Sequence, residues 1–370
     1  MRPLDGVMVL DFSTLLPGPM ATLLLAEAGA EVVKIERPGG EDMRHYHPLW
    51  GKDSVNFALL NRGKKSVVLD LKKPDERARL EPLIKRADVI VEQFRPGVMG
   101  RLSLDYDSVA KANPSIVYCS ITGYGQTGPK RDVAGHDLNY IGDAGLLALS
   151  MGQGDNLVVP PALIADIAGA AYPAVINILL ALAERAKTGK GRHIDVAMTD
   201  NVFPFMYWAL GEGQATGQWP GNGTSLVTGG TARYRLYRTR DDQVLAAAPI
   251  EQRFWVNFVR IIGLEPEFAG EKDPAATVRR VAEIIRREDA ATWRERFAGE
   301  DCCCSIVQTV QQAMADPQFV ARGLFAHRVI NSAGDSITAV PVPIDPAFRA
   351  GPDEPVSTPA LGADNDELLK

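Results

Sequence analysis

The sequence predicts an α/β fold, with a large unit built on a parallel, doubly wound sheet and a smaller α+β unit beside it. Three observations predict it. Short apolar runs alternate with helical patterns through the first 200 residues. Those runs are short and β-rich, without strict alternation of apolar and polar residues, as strands buried on both faces are. A chain of 370 residues exceeds what one hydrophobic core usually organises, and its glycines crowd just past residue 210.

The elements follow in order. Val7-Met8-Val9-Leu10 reads as a strand and 21–28 as a helix. Glu31-Val32-Val33-Lys34-Ile35 is the next strand, then 66–69, a charged helix over 74–86, Val89-Ile90-Val91, and the strand 116–121. Sheets of this kind bind ligands beyond the carboxyl ends of their strands. A long helix rich in Ala, Ile and Leu covers 164–186. It ends at Lys187-Thr188-Gly189-Lys190-Gly191, where basic residues and glycine suit a helix C-terminus. A strand at 193–197 and a helical stretch at 201–211 follow. Seven glycines and a proline within 211–230 suggest a crossing linker. A hairpin over 234–238 and 244–248, with helices over 252–262, 276–287 and 290–298, makes the smaller unit. The expected division is therefore 1–200 with 325–370 as the large domain, 201–230 as linker and 231–324 as the small domain.

Composition excludes several classes. Hydrophobic residues make up 46% and charged residues 23%, which is globular and not disordered. No uninterrupted run of about 18 apolar residues occurs, so a membrane span is not expected. The start does not read as a signal peptide, and the end, DELLK, is neither a peroxisomal nor an ER address. Of the four cysteines, Cys302, Cys303 and Cys304 are adjacent and Cys119 is alone. No CxxC spacing exists, and a reducing, cytoplasmic setting with no metal is expected. Net charge is −6, which argues against general nucleic-acid binding. Residues 61–101 nevertheless hold 11 basic and 6 acidic side chains, a local excess suited to a small polyanion such as a nucleotide or coenzyme A.

Three segments carry candidate chemistry. Gly123-Tyr124-Gly125-Gln126-Thr127-Gly128 fits the dinucleotide pattern GxGxxG. Pro129-Lys130-Arg131-Asp132 follows it, however, and does not begin the apolar helix that a pyrophosphate needs, so an active-site loop is the better reading. His136 lies between Gly135 and Asp137, where a neighbouring acid can tune an imidazole. Asp166 sits among small and apolar residues at a helix start, either as an N-cap or as a carboxylate whose pKa is set by burial and the helix dipole. Glu251, between a strand and a helix, raises the same choice.

Taken with Leu10-Asp11-Phe12, Pro17-Gly18-Pro19, Lys34-Ile35-Glu36-Arg37-Pro38, Asn61-Arg62-Gly63-Lys64-Lys65, Phe94-Arg95-Pro96-Gly97 and Ser120-Ile121-Thr122-Gly123-Tyr124-Gly125-Gln126, these segments resemble the family III CoA-transferase superfamily. Within it they are most similar to the alpha-methylacyl-CoA racemases. The resemblance spans almost the whole chain. It implies a Rossmann-like large domain, an interlocked, obligate homodimer, and an acyl-CoA substrate with no permanently bound cofactor. It also implies His136 and Asp166 as the catalytic acid/base pair, with Glu251 supporting His136. For CoA binding it implies Arg37, Lys64, Lys65, Leu69, Leu71, Phe94, Arg95, Arg101, Tyr124 and Tyr140. The expected reaction is racemisation of a 2-methylacyl-CoA through an enolate, with helix-start N–H groups near Asp166 receiving the thioester oxygen. The alternatives are CoA transfer through an acyl-Asp166 intermediate and CoA binding without turnover. Leu16 stands where the formyl-CoA type of transferase carries a glutamine.

Overall fold

A computed structural model describes residues 1–353 and 355–369. The chain divides into two units. One comprises Met1–Ala144, Pro161–Phe205 and Gln318–Lys370; the other comprises Gly145–Pro160 and Met206–Pro317.

The first unit is built on six parallel strands, β1 (Met8–Asp11), β2 (Glu31–Glu36), β3 (Lys65–Val68), β4 (Val89–Glu92), β5 (Val117–Thr122) and β6 (Arg192–Ala197). Their order across the sheet is β3-β2-β1-β4-β5-β6. The order reverses between β1 and β4, and at that switch point the loops leaving the two strands diverge and open a crevice. The runs are continuous because both faces are covered: Val9, Leu10, Val33, Val67, Val89, Val91 and Ile121 are all fully buried.

Helix α1 (Pro17–Glu27) follows β1, with prolines in its first turn, where no N–H donor is needed. α2 (Asp137–Asp143) starts immediately after His136. The long helix expected over 164–186 runs to Thr188 but is not uniform. One α-turn, Ile164–Asp166, passes through a π-helical stretch, Ile167–Ala171, into α3 (Tyr172–Thr188). Gly189, at φ 71°, ends it as the sequence suggests. Taken together, 164–188 is long and apolar enough to cross a membrane by composition, with a mean hydropathy of 1.7. In the fold it packs against the sheet through Ala174, Ile178 and Ala181.

The second unit has its own core of Tyr237, Leu245, Trp255, Phe258, Val281 and Trp293. A three-stranded sheet, in which β8 (Val244–Ala247) pairs antiparallel with β7 (Arg235–Arg238) and β9 (Cys304–Ile306), packs with helices including α4 (Gln252–Ile262). Two features differ from expectation. Gly145–Pro160 belongs here, because Met151 N–H donates to Asn222 Oδ1 (2.8 Å) and Gly223 N–H to Leu149 O (2.9 Å). The span 201–230 is not a free linker, since Tyr207–Thr216 is helical through two glycines. Gly213 is there for packing: a Cβ on it would lie 2.2 Å from the Trp219 ring.

Candidate active site

Two cavities open beside the switch point, and Thr14 and Phe94 line both. The first, of about 530 Å³, is lined by Leu15, Arg95, Tyr124, His136, Tyr140 and Asp166 among others. The second, of about 590 Å³, is lined by Arg37, Leu69, Leu71, Phe94 and Arg101 among others. Phe94, two residues beyond the end of β4, stands on the wall of both, between a half lined by His136 and Asp166 and a half lined by Leu69 and Leu71.

Local structure explains why the side chains converge. His136 is extended and caps α2; its N–H donates to Asn139 Oδ1 (3.0 Å) and its carbonyl accepts from Asn139 and Tyr140. Tyr140 folds back so that its hydroxyl donates to Gly135 O and its ring meets Tyr124 edge-on, 5.4 Å between centroids. That position is open only because residues 123 and 135 are glycines: a Cβ on either would fall 2.4 and 2.7 Å from the Tyr140 ring. The GxGxxG segment is thus a cavity wall. It runs through turns at Gly125 and Gly128, both at φ +87°, with no helix starting at its third glycine.

Asp166 is not an N-cap, a position Leu163 occupies; it ends the first α-turn. Its N–H donates to Asp137 Oδ1 (3.0 Å) and Ile167 N–H donates to Leu163 O (3.0 Å). Those two donors are therefore engaged and are not free to receive a thioester oxygen. Asp137 serves this backbone contact and not the His136 ring. Its carboxylate also adds to the effect of burial on Asp166, which is pushed up to about 6 against an opposing pull from His136. Burial, then the charges of Asp166 and Asp137, raise the Tyr140 phenol, and Arg95 offsets them in part.

The expected CoA-binding set divides. Arg37, paired with Asp42, and Arg101 stand at the second cavity with Leu69 and Leu71. Arg95, Tyr124 and Tyr140 stand at the first. Lys64 is a correction. It is buried beneath α1, with Nζ 3.0 Å from Asp11 Oδ2 and also on Thr22, Asn61 and Pro19 O, so no phosphate can reach it. Burial lowers it to about 8 despite Asp11. Lys65 lies at the sheet edge, paired with Glu31 and Glu367, away from both cavities. Glu251 precedes α4 in the second unit, exposed, where its charge and burial raise the Cys303 thiol. Among the described residues no cluster of three His, Cys, Asp or Glu side chains could hold a metal ion.

Sequence reading missed Thr14, Leu15 and Gln93. Gln93 Oε1 accepts from Gly18 N–H (2.9 Å), tying the β4 loop to the start of α1. Leu15 is held at φ 61°, its N–H donating to Glu41 Oε2 (2.7 Å), and Glu41 is itself paired with Lys34 (2.7 Å). Only the long-range reach from Glu41 to Leu15 creates this contact.

A switch-point crevice carrying an imidazole and a carboxylic acid defines an α/β enzyme of acid–base or acyl chemistry. The sequence profile of CoA-transferase family III matches residues 4–365, and the chain belongs to that family. It is 32% identical to the human alpha-methylacyl-CoA racemase, over 99% of this chain and 92% of that protein. It is equally 32% identical to the acetyl-CoA:oxalate CoA-transferase of Acetobacter aceti, over 96% and 92%. Among solved structures, a CAIB/BAIF family protein from Brucella suis superposes with a TM-score of 0.81 at 28% identity, each chain covered in full. The Rv3272 protein of Mycobacterium tuberculosis gives 0.84 at 26%, covering 100% and 99%.

Proposed function

We propose that the protein racemises a 2-methylacyl-CoA by moving the α-proton between Asp166 and His136. The observation that carries this reading is the pair itself: both side chains line one cavity, and Asp166 is raised to about 6. A carboxyl so raised can take a proton as a base and return it as an acid near neutral pH. For one enantiomer the Asp166 carboxylate removes the α-proton, the electron pair moves onto the thioester oxygen as an enolate, and imidazolium His136 reprotonates the opposite face. For the other enantiomer the roles exchange. CoA lies along the second cavity, with Arg37 and Arg101 on its phosphates and Phe94 at the turn between the halves.

CoA transfer through an acyl-Asp166 anhydride is favoured less. An aspartate nucleophile leaves His136, on the wall of the same cavity, without a part in the reaction, whereas racemisation uses both groups. The apolar Leu15 on the cavity wall also suits a hydrocarbon better than a second carboxylic acid. A homodimer belongs to the same proposal. Ile176, Leu179 and Leu180 leave an apolar face of α3 exposed, which a second copy would cover. Light scattering should then give a particle of about 80 kDa, twice the chain mass of 40.1 kDa.

The test is α-deuterium uptake in D₂O from each enantiomer of a 2-methylacyl-CoA, with no acceptor acid present. Wild type should exchange both. D166N and H136A should each abolish racemisation, with losses of about 10²–10⁴-fold on the enantiomer each serves. CoA transfer that needs an acceptor acid, without deuterium uptake, would establish the transferase reading instead.

A further inference from the structure

Behind the β4 loop lies a second polar chamber, of about 120 Å³, that the reaction above does not use. Glu92, Ser120, Gln126 and His193 line it, and Arg95 and Pro96 form a wall shared with the His136–Asp166 cavity. The sheet brings these groups together. Glu92 on β4 is paired with Ser120 on β5, Ser120 with Asp195 on β6, and His193 lies two residues before Asp195 on the same face. Ser120 Oγ lies 3.0 Å from His193 Nε2, and Glu92 is its register partner on the neighbouring strand, on the wall of the same chamber. The imidazole is clamped, stacked on Tyr106 (5.4 Å, 15°) and edge-on to Tyr118 (5.5 Å). Glu92 Oε2 accepts the N–H of Phe94 (2.8 Å), which lines both larger cavities and begins segment 94–97, whose turn is closed by Val98 N–H on Arg95 O (3.1 Å).

We propose that Glu92 and His193 share one proton through Ser120, and that the charge on Glu92 sets how firmly turn 94–97 holds Phe94 and Arg95 against bound CoA. The second half rests on the CoA placement above. In one arrangement the Glu92 O–H donates to Ser120 Oγ, whose O–H donates to neutral His193 Nε2. In the other the proton has moved along: Ser120 O–H donates to the Glu92 carboxylate and the imidazolium Nε2–H donates to Ser120 Oγ. Loss of the shared proton leaves Glu92 ionised, and the Phe94 N–H bond becomes charge-assisted and stronger.

The surroundings hold the pair in this balance. Burial raises Glu92 to about 7, and Asp195 adds to the rise while Ser120 and the Phe94 N–H oppose it. Burial lowers His193 against the charges of Asp195 and Asp107. Tyr118 and Cys119 are driven upward by burial and carry no charge near neutrality. Asp105 also faces the chamber, its carboxylate bound to Ser108, and Arg95 supplies positive charge on the wall. A rise in pH through about 7 therefore ionises Glu92 and tightens the turn.

Calorimetry with 3′-dephospho-CoA, which lacks the 3′-phosphate monoester that titrates near neutral pH in CoA, tests the hold on CoA. Carbon-13 labelling of histidine Cε1 reads His193 directly by NMR, assigned with H193Q. Wild-type affinity should rise about fivefold between pH 6 and 8, and in E92Q, which keeps the acceptor oxygen without the charge, it should be flat. His193 should titrate in two coupled steps in wild type and in one step in E92Q. If E92Q does not fold, S120A should uncouple His193 in the same way. Superimposable profiles in wild type and the variants would overturn the proposal. Coupled titration without dephospho-CoA binding at any pH would refute the CoA placement and leave the proton sharing standing.

Discussion

Replacing Asp166 by Asn should make the protein inactive and more stable. Burial and Asp137 raise this carboxyl from 3.8 to about 6, so its ionised form is disfavoured in the folded chain. Two pKa units correspond to about 3 kcal/mol. The side chain is only half-buried, and solvent screening reduces the expected gain to about 1–2 kcal/mol. The pH dependence gives the sign. Below about pH 4 the group is protonated folded and unfolded, and Asn, which has the same shape, changes little. Between pH 4 and 6 the unfolded chain releases its proton first, so wild-type stability falls as pH rises; above 6 the full difference remains. Urea unfolding of both proteins at pH 3 and 8 should therefore show D166N ahead only at the higher pH, by about 1–2 kcal/mol. A variant that is less stable than wild type at pH 8, or whose advantage does not change with pH, would show that Asp166 is not held against its charge and would remove the argument for it as a proton carrier.

Two further outcomes follow from the packing. Lys64→Ala should cost about 2–3 kcal/mol in denaturant unfolding, because it removes the nearer of two cations from the buried Asp11 carboxylate and leaves it Lys34, Ser13 and Thr22, and should leave CoA affinity of the folded protein unchanged. Gly123→Ala places a methyl 2.4 Å from the Tyr140 ring, so Tyr140 must leave Gly135 O. A stability loss of about 1–3 kcal/mol by urea unfolding should accompany a fall in kcat larger than any change in KM for CoA thioesters.

The sheet was legible because β1, β2, β4 and β5 are buried on both faces and so appear as largely apolar runs, with the buried Lys34 and Ser120 as exceptions. His136 and Asp166 were legible from their settings among glycines and small residues. Other features were hidden by the limits of local patterns. A tally of lysines counts Lys64 as surface charge, and only the fold shows it spent on Asp11. Glycine count suggests flexibility near 211–216, whereas Gly213 sits inside a helix to admit Trp219. The π-helical stretch that follows Asp166 has no local signature among residues as helix-compatible as Ala and Ile. Glu92 and His193, 101 positions apart in the numbering, meet only through strand order.

The edge strand β3 is finished from far downstream. Ser66 N–H donates to Asp364 Oδ2, Val68 N–H to Asn365 Oδ1, and Lys65 pairs with Glu367. During synthesis, the segments of the second unit are all out by residue 317, while the rim of the large sheet stays raw until 364–369 have been made. A nascent chain thus carries an exposed β-edge through most of its production, a template for pairing with a neighbouring polysome product. Clipping the last few residues would make that transient hazard permanent, even though the excised stretch lies outside both cavities.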